Sequence, residues 1–174
     1  MTLKHMKRAI CGCLRFSRAV SLVMVVLFVA WQNPAAGADP DTTNAIISTC
    51  VDGERASGRD GRACIGRVTG PCKAKSDNAY REDQMECDER EFVLWSQLVQ
   101  KEYGLLKKLL TAEQREALQN SQSLWVRYQS DDCRLPYAFF AKDMADFAGP
   151  ACTIKLKASR VLQLRAWRDA LGKL

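Results

Sequence analysis

The sequence predicts an all-α fold: a small antiparallel bundle of three main helices, preceded by an irregular cysteine-rich segment and stapled by disulfides. Beyond Asn78, apolar residues recur at spacings of three and four in three long stretches. The first two stretches are joined by almost no loop, which makes them antiparallel neighbours. Six cysteines, an even number, remain once a removable leader is set aside.

Residues 1–38 have the layout of a signal peptide. Lys4, Lys7, Arg8, Arg15 and Arg18 form a basic region without an acid, and Ala19 to Trp31 is an uncharged, mostly apolar run of 13 residues. That run is short of the roughly 18–20 residues a spanning helix needs. Asn33 and Pro34 break it, and Ala36-Gly37-Ala38 supplies small residues, so cleavage is expected after Ala38. An uncleaved anchor is the alternative; a lipid anchor is not indicated, since neither Cys11 nor Cys13 follows an apolar lipobox. The expected location is periplasmic or secreted, with a mature form that does not span the membrane.

The chain carries a net +6, but five of its 26 basic residues lie in the leader, which leaves 21 against 20 acidic residues. Apparent basicity is therefore an export feature, and the interleaved charges of the remainder argue against nucleic acid. His5, the only histidine, also leaves with the leader.

Residues 39–78 are rich in Gly, Asp, Ser, Arg and Thr, without a sustained apolar period, and are expected to be irregular. "DTTNAIISTC" within them allows one short helix or extended piece, and "CIGRVTGPC" reads as a compact loop or turn. Residues 79–174 form the expected helical domain. Ser76, Asp77 and Asn78 can cap its first helix, and Glu82, Asp83 and Glu86 favour the positive end of its dipole. Phe92, Trp95, Leu98, Val99, Leu105, Leu106, Leu109 and Leu110 give it one apolar face, weakened locally by Gly104. "TAEQ", Thr111 to Gln114, fits a capping box and starts the second helix, with Leu118, Ser121, Trp125 and Tyr128 on one stripe. "RLPYAFFAKDMADFAGP" has proline near both ends and reads as a short helix in a crossover loop. The third helix runs from about Cys152 to Leu171 and buries Ile154, Ala158, Val161, Leu164, Trp167 and Leu171.

Cys50, Cys64, Cys72, Cys87, Cys133 and Cys152 read as a disulfide framework at one pole of this bundle. Zinc is not indicated, because the thiols are dispersed and no CxxC pair or histidine accompanies them. Six cysteines allow fifteen pairings. Cys133 with Cys152 is favoured because it closes the crossover; Cys64 with Cys72 and Cys50 with Cys87 would complete the set.

The order Cys87, Glu91, Trp95, Leu98, Tyr103, Gln122, Trp125, Tyr128, Cys133, Cys152, Arg160 and Leu164 resembles the LprI-like domain family, exported proteins named for an inhibitor of lysozyme. The resemblance covers about residues 85 to 168. It implies a helical fold and a protein partner, a lysozyme-type muramidase. The chain departs from the family pattern at Val99-Gln100, Gln129 and Lys157, all but the first polar, so the fold carries over better than an activity would.

Trp125 and Tyr128 could make a sugar-stacking platform, but an aromatic stripe at helical spacing is ordinarily core. They are expected to pin the second helix, with a partner for the Tyr128 hydroxyl. The acids Glu82, Asp83, Glu86, Asp88 and Glu89 form a solvated helix start rather than a glycosidase carboxylate pair; Glu91, at a family position, is expected to form a salt bridge with Arg160. No catalytic residue or cofactor is indicated, since a Ser-His or Cys-His pair needs a histidine. Binding is the reading left. A cleft lined by carboxylates is best probed by a rigid loop carrying cations and aromatics, and two segments qualify. One holds Arg67, Lys73 and Lys75; the other holds Arg134, Tyr137, Phe139, Phe140 and Lys142. For the second, the plainer alternative is that its aromatics cap the bundle. The competing function is a structural or envelope-stress accessory without an enzyme target.

Overall fold

The computed structural model describes residues 40–75 and 81–172. The leader and the cap candidates Ser76, Asp77 and Asn78 lie outside them. Helix α1 spans Pro40–Ala56, a 3-10 turn spans Arg62–Cys64, and α2 spans Thr69–Lys75. Three long helices and one short one follow: α3 Arg81–Leu109, α4 Ala112–Asp132, α5 Leu135–Phe139 and α6 Lys142–Leu171. Among the described residues every regular element is helical, so the all-α class holds. None of these helices is long and apolar enough to cross a membrane.

The spine is α3 against α6. Leu94, Trp95, Leu98, Val99 and Leu106 of α3 meet Ile154, Ala158, Val161, Leu162 and Leu164 of α6 in one apolar cluster. The surprise is what covers it. Ile47 and Val51 of α1 are fully buried there, whereas Leu118 is the one residue of α4 that is buried. The expected irregular segment is thus mostly helical and supplies a wall of the core. Its apolar residues are few, but Ile47 and Val51 lie four apart and so share a face, which is enough once α3 and α6 offer a surface to cover.

One expected boundary held and another moved. The Thr111 capping box forms, with Gln114 N–H donating to Thr111 Oγ1 (3.3 Å) and Thr111 N–H to Gln114 Oε1 (2.9 Å). By contrast, α6 begins ten residues before Cys152, at Lys142, and carries Pro150 inside it. Proline removes one helical N–H and normally breaks a helix; here Ala145, Asp146 and Gly149 before it are buried and hold the preceding turns in place. Trp167 and Leu109, expected inside, leave roughly 41% and 51% of their surface exposed.

The disulfides join Cys50 to Cys64, Cys72 to Cys87 and Cys133 to Cys152. The expected pairs Cys64–Cys72 and Cys50–Cys87 do not form. Residues 69–75 wind into α2, which presents Cys72 to the start of α3, while Cys64 is buried against α1. Two of the bridges therefore clip together elements adjacent in the chain, and Cys133–Cys152 reaches across the short α5.

Candidate binding surface

The crossover between α4 and α6 is short, braced and apolar outside. Cys133 is buried and its bond to Cys152 ties the end of α4 to α6. Tyr137 lies so close to Gly149 that a Cβ there would come within 2.6 Å of its ring, so this approach requires glycine. Around the brace, acids hold the flanks: Asp146 accepts from Lys142 (2.8 Å) and pairs with Arg81 (2.9 Å), and its carboxyl is held below the usual range chiefly by the Lys142 bond. Phe139 is 70% exposed, and Leu135, Tyr137, Phe140, Met144 and Phe147 are exposed with it. Tyr137 packs on Gly149 of α6, whereas Phe139 and Phe140 leave about half or more of their surface open. Arg134 and Lys142, both exposed, flank them.

The other expected segment is different in kind. Arg67 and Lys75 are exposed, but Lys73 turns inward, donating to Asp88 (2.8 Å) and lying 5.9 Å from the Phe147 ring. Its ammonium braces α2 and the crossover against α3.

Glu91 is fully buried and does not meet Arg160. Its carboxylate accepts N–H from Gly66 (2.6 Å), Val68 (3.0 Å), Thr69 (2.8 Å) and Trp95 Nε1 (3.0 Å). Gly66 has a φ of +85°, which lets the chain turn so that successive amides face inward. Burial is the largest influence on this carboxyl and pushes its pKa up; the bonds from Thr69, Trp95, Gly66 and Val68 together outweigh it, leaving the pKa lowered. The expected salt bridge fails because a carboxylate is satisfied equally well by backbone donors within the same end of the fold.

Arg160 is buried elsewhere. Its Nε donates to Gln122 Oε1 (2.9 Å), Nη1 to Gln163 Oε1 (2.6 Å) and Nη2 to Ser121 Oγ (3.4 Å). The Trp125 and Trp167 rings flank it at 5.7 and 5.4 Å, and burial lowers its pKa. Trp125 is half-buried against the core, but Tyr128 is 53% exposed and donates only to Asp132 on its own helix (3.3 Å). Tyr128 therefore does not pin α4, which offers too narrow a buried face. Tyr103 packs at the core edge with the Lys107 ammonium 5.6 Å from its ring. Of the three departures, Val99 is buried in the core and Lys157 sits 4.8 Å over Phe92, its pKa lowered by burial; Gln129 is half-buried.

Sequence reasoning missed an ionic network. Glu102 is fully buried, with Arg165 Nε at 2.9 Å and Arg168 Nη1 on its other oxygen. Arg165 reaches Asp52 of α1 at 2.5 Å, and Arg55 pairs with Asp169. A signal existed, since Glu102 falls on the stripe of Trp95, Leu98 and Leu106, and Arg165 on that of Ala158 and Val161. Asp132, Cys133 and Cys152 lie within 4.8 Å of one another, but both sulfurs are oxidised and offer no thiolate to a metal.

A family model described as lysozyme inhibitor LprI matches residues 72–164 of this chain. The matched span takes in two of the three bridges, Glu91, Trp125 and Arg160, and leaves α1 outside. No curated protein and no solved structure matches the chain.

Proposed function

From the premise that this chain belongs to the LprI family of lysozyme inhibitors, we propose that it binds a lysozyme-type muramidase and blocks it with the crossover between α4 and α6. The single observation that carries this reading is an apolar, aromatic surface that stays exposed beside a disulfide. Such patches mark interaction sites on soluble proteins, and a segment already held by Cys133–Cys152 loses little entropy on binding. Phe139 and Phe140 would enter the target's cleft, with Arg134 and Lys142 facing its carboxylates. Three disulfides fit an oxidising compartment, which supports export after cleavage near Ala38. The protein acts here as a binder rather than a catalyst; the chain beyond the leader has no histidine to activate a nucleophile.

The test is lysis of a bacterial cell-wall suspension by a purified muramidase, with the oxidised domain added. The reading expects lysis to slow in proportion to added domain. No slowing at tens of micromolar would instead favour an envelope accessory without an enzyme target.

A further inference from the structure

A cleft separate from the crossover is built on α6, and none of its lining residues belongs to the crossover. It has a volume of about 400 Å³ and is lined by Arg55, Asp60, Arg62, Trp125, Arg160 and Gln163, over Leu156 and Leu162. Arg55 is answered by Asp169 and Arg62 by Asp60. Arg160 has no carboxylate beside it among the described residues, only the Trp125 and Trp167 rings at 5.7 and 5.4 Å. It is 4% exposed, its three protein acceptors are the neutral oxygens of Gln122, Gln163 and Ser121, and among the described residues it forms no ion pair with a carboxylate. A guanidinium carries five N–H groups in a rigid fork, so two remain beyond those three bonds. A cation withdrawn from water with only neutral partners is costly, and a carboxylate is the anion its fork fits best.

The rest of the lining narrows the ligand. Trp125 offers an indole wall, Leu156 and Leu162 an apolar floor, and Asp60, Ser159 and Gln163 polar groups suited to hydroxyls. An aromatic wall among dispersed hydrogen-bonding groups is the chemistry of a sugar ring. We propose that this cleft binds a carboxylated sugar, with the carboxylate on Arg160 and Arg62 and the ring against Trp125. The site goes beyond the muramidase-blocking reading and does not rest on it.

Binding is read on the full oxidised domain by calorimetry, without a muramidase, so its failure and that of the inhibitor reading are separable. N-acetylmuramate and glucuronate are the carboxylated probes, and N-acetylglucosamine is the neutral one. Saturable millimolar binding is expected for at least one carboxylated probe, at least about tenfold tighter than for N-acetylglucosamine; the tighter of the two identifies the sugar. Arg62→Ala, on the exposed rim, should weaken it about threefold, and Arg160→Gln should abolish it. Circular dichroism checks that Arg160→Gln folds; if it does not, Arg62→Ala decides. Equal affinity for the neutral sugar, no saturable binding of either acid, or unchanged binding in Arg62→Ala would overturn the assignment.

Discussion

The indole N–H of Trp95 donates to the carboxylate of Glu91 one turn earlier on α3, at 3.0 Å, and both side chains are fully buried. The same carboxylate closes the loop from Gly66 to Thr69, so one glutamate joins the main helix, the core tryptophan and the start of α2. Glu91→Gln would put an amide N–H₂ where only acceptors fit. The expected loss is about 2–4 kcal/mol, read as a lower urea midpoint with an unchanged slope.

The same site sets an acid limit. Because the folded-state pKa of Glu91 lies below its ordinary 4.5, the unfolded chain takes up that proton first as pH falls. The stabilisation is fully present above about pH 4.5 and is lost as pH drops through the folded value. Melting temperature followed below pH 5 should fall less steeply in Glu91→Gln than in the parent.

The buried Glu102–Arg165 pair gives a third prediction. Removing one partner leaves the other inside with a single remaining ion pair, Asp52 for Arg165 or Arg168 for Glu102, so Glu102→Leu should cost up to about 3–5 kcal/mol, whereas Glu102→Leu with Arg165→Met should cost less than either single change. Denaturant unfolding of all four combinations checks this. Additive losses would mean that the two side chains do not act as a pair.

These two sites also mark how far the sequence could be read. Periodic stripes located α3, most of α6 and the Thr111 cap because each depends on residues close in the chain. The Glu91 nest was not legible: nothing in "CIGRVTGPC" says that its amides will converge on a carboxylate more than twenty positions away. Charged residues on apolar stripes, Glu102 and Arg165, were legible in principle. The pairing of Cys50 with Cys64 and of Cys72 with Cys87 depended on α1 and α2 being helical, which their weak apolar content conceals. The exposure of Phe139 depended on Tyr137 rather than Phe139 meeting Gly149, a choice made by packing alone.

That packing supplies a fourth prediction. Gly149→Ala places a Cβ about where the Tyr137 ring lies, and the crowding should cost about 1–3 kcal/mol. Tyr137→Ala in the same chain should relieve most of it, as a double-mutant cycle will read.

Removing the crossover brace is the fifth. Cys133→Ser with Cys152→Ser opens a loop with a sequence separation of 19, and the expected loss is about 3 kcal/mol. Inhibition should fall by more than stability explains when measured well below the new melting temperature, because the crossover then orders only on binding.

The central claim is that the crossover is the contacting face. Amide hydrogen exchange of the oxidised domain, with and without a muramidase at saturating concentration, tests it most directly. Protection gained across residues 134–147, with α1 and the Arg160 cleft unchanged, is the predicted result. Protection confined to any other surface, with residues 134–147 exchanging as in the free protein, would contradict it.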